Sequence, residues 1–397
     1  MSLRKKGARF SSKGDKKMVY ADNAATTKLD IEAFEAMKPY LLEEYGNASQ
    51  PYTFSRKVRL VLKEARKTIA SCINASPEEI FFTSGGTESN NWALKEVGMP
   101  TDIKHVITSQ IEHHSILNTC KHMETTGAGI SYIPVTKSGV VMVEEIEKCL
   151  ARERECVASC ETKVVSIMFA NNEIGTIQPV KEISAIAHRY GAIFHTDAVQ
   201  AVGHTKIDVK EMGIDLLSAS AHKFNGPKGI GFLYVRKGIL ISSHNDGGMQ
   251  EYGKRAGTEN VAAIVAMANA LKNNVVEIEQ NEKKLIELEQ IIENGLRNNS
   301  VHYVRNGAIN HIPGNISLSF PGIEGETLLH RLDLMKICVS TGSACDSVNT
   351  QISHVLKSIR LEEELAKGTI RISLGKNNTK EEAQIIVDAL VKILQKQ

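Results

Sequence analysis

From about residue 54 onward the apolar positions of the chain alternate between two periods. FSRKVRLVLKEARKTIASCI places apolar residues every three to four positions, the spacing of one helix face. TESNNWALKEVG reads as a helix capped by Thr87 and closed by a glycine, and SILNTCKHMETTG and VKEISAIAHRYG follow the same period. Between these lie short apolar runs, EIFFTS, KHVITSQ, ISYIPV, KVVSIMFA, AIFHTDA, DLLSAS and GIGFLYV, which suit strands buried on both faces. Helix and strand in turn predict an α/β fold, a mostly parallel sheet wrapped by helices.

Near residue 262 the texture changes to two long helices, NVAAIVAMANALKNNV and EIEQNEKKLIELEQIIENGL, the second keeping Ile278, Leu285, Leu288, Ile292 and Leu296 at helical spacing. The strands NISLSF and TIRISLG follow. TKEEAQIIVDALVKILQ closes the chain as a helix whose Thr379 and Glu382 form a capping box. This stretch predicts a second, smaller α+β domain. Residues 1–17, MSLRKKGARFSSKGDKK, are basic and nearly free of large apolar groups, which suits a disordered tail, an expression remnant or a weak transit peptide.

Composition narrows the function classes. With 397 residues, 42% hydrophobic and 24% charged, the chain has the make-up of a soluble globular protein, and no apolar run is read as a membrane span, so the expected location is the cytoplasm. A net charge of +2 gives no basis for a nucleic-acid partner. The seven cysteines (Cys72, Cys120, Cys149, Cys156, Cys160, Cys338, Cys345) are scattered and odd in number, so free thiols are expected rather than a disulfide framework. Cys156 and Cys160 form a C-x-x-x-C without two further close ligands, and no resident metal site is expected.

Five polar clusters follow directly after strand candidates: SGGTE at 84–88, EHH at 112–114, NNE at 171–173, DAVQ at 197–200 and SAHK at 220–223. Each has an ordinary reading. Gly85, Gly86 and Thr87 suit either a tight turn or the phosphate-binding start of a helix. Asp197 ends an apolar run, where a carboxylate needs a cation, a cap or an ion pair. Lys223 is either a solvated loop lysine or an amine held for Schiff-base chemistry, with small residues leaving room for a planar group. Together they supply the phosphate cradle, buried carboxylate and amine that pyridoxal phosphate requires.

With YADNAATT, FTSGGTESNN, EHHS, NNEIG, HTDAVQ, SAHKFNGPKGIG, RAGTEN, STGSAC and RISLG in this order, the chain resembles the cysteine desulfurases, a branch of the fold-type I pyridoxal-phosphate enzymes, from about Tyr20 to its C-terminus. The resemblance implies a seven-stranded large domain over 31–264, and a small domain of 18–30 and 265–397 carrying a catalytic-cysteine loop at about 338–352. It implies that Lys223 binds the cofactor covalently, Asp197 partners its ring nitrogen, Gln200 donates to its phenolic oxygen and His113 stacks on the ring and moves protons. Gly86, Thr87, Ser220 and His222 would surround the phosphate, with Thr258 contributed by a second subunit of a homodimer.

Arg371, assisted by Asn172, would clamp the substrate carboxylate, and Cys345 would take sulfur from L-cysteine as a persulfide, leaving L-alanine. The SSGSAC-like loop resembles the housekeeping and nitrogen-fixation branch, which implies an iron–sulfur scaffold or other sulfur acceptor as partner; Cys345 could also ligate a cluster in transfer. The chain departs from that branch after the cysteine, with DSVNTQISHVL where EPSHVL is usual. Two competing readings are a carbon–sulfur lyase or aminotransferase in which Cys345 is incidental, and a non-catalytic sulfur carrier on the same fold.

Overall fold

A computed structural model describes residues 18–98, 104–155, 162–341 and 352–395. Its centre is a seven-stranded sheet in the order Ile80–Thr83, Gly231–Val235, Leu216–Ser220, Ile193–Asp197, Thr162–Ser166, Lys104–Ser109 and Gly129–Ile133. Only Gly231–Val235 runs against its neighbours; the other six strands are mutually parallel. Side chains alternate across the sheet, so Ile80, Phe82, Ile107, Val165, Phe194 and Leu217 enter the main core while Phe81, Val106, Val164 and Leu216 face a second layer around Trp92. Burial on both faces explains why these strands read as unbroken apolar runs.

A separate antiparallel sheet places Asn315–Ser319 between Thr369–Ser373 and Val304–Asn306. Beside it Val19–Tyr20 pairs in parallel with Ile337–Cys338, tying the start of the described chain to its C-terminal third. Ile316, Leu318, Ile370, Ile372, Ile386 and Leu390 build a core distinct from that of the large sheet. The capping box of Thr379 and Glu382 opens the last helix, Lys380–Leu394.

The two long helices expected after residue 261 are one. Val261–Asn298 is a continuous helix of 38 residues, since no proline or glycine interrupts the join and Asn274 turns its polar group inward. The first half buries Ala263, Ile264, Met267 and Leu271 in the large core, and the second half buries Leu285, Leu288, Ile292 and Leu296 in the smaller one. By length and composition this helix also meets the requirement for a membrane span, contrary to the expectation of no such run. Yet 61% of its apolar window is buried inside the protein, as in a core helix.

Other differences are local. Gly85, not Thr87, caps the helix Gly86–Lys95; its φ of 152° suits glycine and leaves Thr87 in the first turn. The strand read as KVVSIMFA ends at Ser166, after which the chain bends into the loop that carries Asn171 and Asn172.

Asn274 is 2% exposed and donates through Nδ2 to Phe224 O (2.8 Å) and Ala270 O (2.7 Å), so the helix grips the turn that bears Lys223. Asn274→Ala strands the Phe224 carbonyl in the interior. A loss of about 1–3 kcal/mol is expected, read as an earlier unfolding midpoint at unchanged helix content.

Candidate active site

All five clusters converge at the carboxyl ends of the parallel strands. They line a cavity of about 620 Å³ that includes Gly86, Thr87, His113, Asn172, Asp197, Gln200, Ser220, His222 and Lys223, with Arg371 entering from the smaller sheet. Thr258 is exposed and lies outside this cavity. Cys345 lies outside the described residues, as do Cys156, Cys160 and residues 1–17.

Lys223 ends a single 3₁₀ turn, Ala221–Lys223, directly after the strand Leu216–Ser220. Three contacts fix that turn. His204 Nε2 lies 2.8 Å from the Lys223 carbonyl, Asn274 holds the Phe224 carbonyl, and the backbone N–H of Asn225 donates to Thr27 Oγ1 at 2.8 Å. Asn225 takes the left-handed conformation (φ 63°), and a side chain at Gly226 would collide with Ala221. The Lys223 amine donates to the carbonyls of Ala24 (2.6 Å) and Ala25 (2.9 Å). Gln200 also turns its amide onto the Ala24 carbonyl, at 3.0 Å.

Asp197 is 5% exposed and accepts from Asn90 Nδ2 at 2.7 Å and from the Val199 N–H at 3.0 Å. A carboxylate only accepts, so Asn90 must present its nitrogen here. The same Nδ2 reaches Ser115 Oγ at 2.8 Å, and Ser115 in turn approaches His113 Nδ1 at 2.8 Å. His113 caps the helix His114–Thr125 by accepting the Ser115 N–H on Nδ1. A neutral His113 therefore carries its proton on Nε2. Burial lowers the His113 pKa, opposed by Asp197 and assisted by Lys223.

Burial, then Lys223 and Lys228, push His222 down to about 4, so it lines the cavity as a neutral ring near pH 7. Gly86 and Thr87, further phosphate-cradle candidates, open the helix beside Ser220. Gly86 passes so close to Val199 that an added Cβ would sit 2.5 Å from Cγ2, and no side chain caps the helix that begins there. Glu88 in its first turn accepts from the Ser84 N–H (2.8 Å) and from Arg255 Nε (2.8 Å).

Arg371 lies in the strand Thr369–Ser373 with its side chain 6% exposed. Nη2 pairs with Asp22 Oδ1 at 2.7 Å, and Nη1 donates to the backbone carbonyl of Asn172 at 3.0 Å. Asn172 thus meets Arg371 through its main chain.

Asn90, Ser115 and Asp22 were missed as site residues. Asn90 falls three positions after Thr87, on the same helix face, a spacing that gave the available signal. Asp22 stands in YADNAATT, a motif quoted for its likeness without a role for this residue. Among the described residues no group of three His, Cys, Asp or Glu side chains is placed to hold a metal ion.

The class-V aminotransferase family model matches residues 19–386. The chain belongs to the cysteine desulfurase family of class-V aminotransferases. Cysteine desulfurase IscS of Dictyoglomus turgidum is 47% identical over 384 residues, covering 96% of this chain and 95% of that protein. The IscS protein of Methanosarcina thermophila is 43% identical over 96% of this chain and 93% of its own length. Among solved structures, a NifS-like protein superimposes with a TM-score of 0.88 at 38% identity, covering 96% of this chain and all of that one. SspA in complex with cysteine gives 0.77 at 33% identity, over 91% of this chain and all of SspA. The central sheet and helices of this family member are those of the fold-type I enzymes.

Glu112, directly before His113, is fully buried, accepts from Ser109 Oγ (2.6 Å) and the Met168 N–H (3.0 Å), and has its pKa raised by burial from 4.5 to about 8. Folding therefore favours the protonated acid, and its stabilising effect is full below pH 4.5 and is lost as the pH rises towards 8. Glu112→Gln is expected to lose less stability than the parent between these pH values, measured as denaturant midpoint against pH.

Proposed function

We propose that this chain is a pyridoxal-phosphate-dependent cysteine desulfurase that converts L-cysteine to L-alanine and places the sulfur on Cys345 as a persulfide. The observation that carries the reading is the convergence, in one cavity, of a fixed lysine amine, a buried aspartate, a helix start open to an anion and an arginine from the second sheet. The chemistry of this donor set fits the cofactor: Lys223 for its aldehyde, Asp197 for its ring nitrogen, Gln200 for its phenolic oxygen, and His113 for its ring face. Gly86, Thr87, Ser220 and His222 suit its phosphate. When bound, pyridoxal phosphate supplies an aldehyde for the substrate amine and a ring that takes up electrons.

The chain's own groups do the rest. Arg371 receives the substrate carboxylate, with the Asn172 carbonyl fixing one of its nitrogens. The Lys223 amine is the base for the α-proton, and His113 offers the proton on Nε2. The Cys345 thiolate forms a sulfur–sulfur bond with the substrate thiol as the carbon–sulfur bond breaks. An iron–sulfur scaffold or another thiol acceptor then takes the sulfur from Cys345.

A homodimer is part of this proposal. Thr258 stands exposed outside its own cavity, which suits a contribution to a partner's phosphate site. Ile31, Phe34, Leu41, Leu42 and Tyr45 leave apolar surface on and beyond the helix Ile31–Leu42 for a second copy to cover. The proposed division into 31–264 and the remainder leaves the long helix shared, and Ile312, Val355, Leu356, Ile359 and Ala366 of the remainder pack into the large core.

Purified protein given L-cysteine should yield alanine and persulfide. Lys223→Ala should abolish both the visible absorbance band and turnover; a variant that keeps the band refutes the assignment of the amine. Cys345→Ser should keep the band and lose persulfide, whereas a carbon–sulfur lyase would release sulfide unchanged. His113→Ala should lower kcat by about 10²–10⁴-fold at unchanged cofactor content.

A further inference from the structure

Asp22 pairs with Arg371 and lies two and three residues before the carbonyls that hold the Lys223 amine. We propose that Asp22 is the positioning residue for Arg371, setting the direction of its guanidinium toward the substrate carboxylate; this rests on Arg371 being the carboxylate clamp. A buried guanidinium needs an anion, and Asp22 Oδ1, 2.7 Å from Nη2, is the ion-pair partner of Arg371 among the described residues. The Asn172 carbonyl fixes Nη1 at 3.0 Å from a second direction. Nε–H is buried with no partner among the described residues, a donor left over for a ligand.

The backbone around Asp22 is bound to the strand that carries Arg371. Asn23 N–H donates to Ser373 O (3.0 Å), Ser373 N–H donates to Ala21 O (2.8 Å), and Tyr20 Oη donates to Asp22 O (3.1 Å). Two and three residues beyond Asp22, the carbonyls of Ala24 and Ala25 hold the Lys223 amine. A four-residue segment therefore fixes both the amine and the guanidinium. An α-amino acid has to satisfy both ends at once, so this spacing bears on binding of its carboxylate and not on the chemistry at its sulfur.

Two effects of Asp22 oppose each other. Its charge repels an incoming carboxylate, and its hydrogen bond keeps the receiving group still. The Asp22 side chain is 20% exposed and partly screened by water, while the bond it makes ends on a guanidinium that is 6% exposed. Orientation therefore outweighs repulsion. Without Asp22 the long side chain is held at a single nitrogen by a neutral carbonyl.

The test uses full-length protein loaded with pyridoxal phosphate, titrated by its visible absorbance with L-alanine and with ethylamine, which lacks the carboxylate. Asp22→Ala should weaken L-alanine by about tenfold or more, as expected for losing a hydrogen bond to a charged group. Ethylamine should stay within about twofold, and the KM for L-cysteine should rise while kcat holds. Asp22→Asn, which keeps an acceptor, should restore most of the loss. Asp22→Ser, too short to reach Nη2, reads the same loss should the alanine variant not fold. Unchanged or tighter L-alanine binding overturns the inference, as does an equal loss for ethylamine, which would mark general damage to the pocket. Wild-type protein that takes up no cofactor overturns the functional reading as well, whereas wild-type turnover with L-alanine binding unaffected by Asp22→Ala overturns this inference alone.

Discussion

The site depends on where one amine finds its acceptors. Lys223 meets them in Ala24 and Ala25, some 199 and 198 residues earlier in the chain. A polar group in a cleft needs acceptors fixed for it, so the turn bearing Lys223 and the segment bearing those carbonyls must be built together. Both are. The Thr27 N–H and hydroxyl donate to the His222 carbonyl at 2.9 and 2.8 Å, Asn225 donates back to Thr27, and His204 and Asn274 close the turn from below. The amine is thereby aimed by backbone geometry on both sides, with little left to side-chain freedom.

Around that amine the charge is divided with care for burial. Asp197 is buried yet doubly hydrogen-bonded, so it has the partners a carboxylate needs away from water. His113 and His222 are held towards neutrality by the same burial, which makes them donors and acceptors rather than further cations beside Lys223, Lys228 and Arg371. The network from His113 through Ser115 and Asn90 to Asp197 couples the two assigned ring contacts, so a change at Asn90 reaches both.

Much of this was legible in the residues. Parallel strands buried on both faces leave apolar runs, and polar residues directly after them mark the carboxyl edge, which is why Lys223, Asp197, His113 and Thr87 could be named, whereas Arg371, inside an antiparallel strand, came from likeness alone. What escaped has physical reasons too. The break near residue 275 looked real because Asn273 and Asn274 are weak helix formers, but Asn274 is repaid by a bond to a distant carbonyl that no local pattern records. Asp22 and Asn90 act through partners 349 and 107 residues away, and such pairings are invisible to periodicity. The cap at Gly85 was misplaced because threonine is the commoner capping residue, whereas here the unusual φ decides. Cys345 and Thr258 rest on likeness, the first lying outside the described residues and the second outside its own chain's cavity.

The helix Val261–Asn298 enters both cores, and glycine appears in it only at position 295, near its end. It is a solid strut with no hinge at the join. Any tilting of the smaller sheet against the larger one would have to bend three dozen hydrogen-bonded residues, so the gap between the two sheets behaves as a caliper set at assembly. On the proposed reading, with the amine on one sheet and the guanidinium on the other, the length of a ligand would be read against a span that this helix fixes.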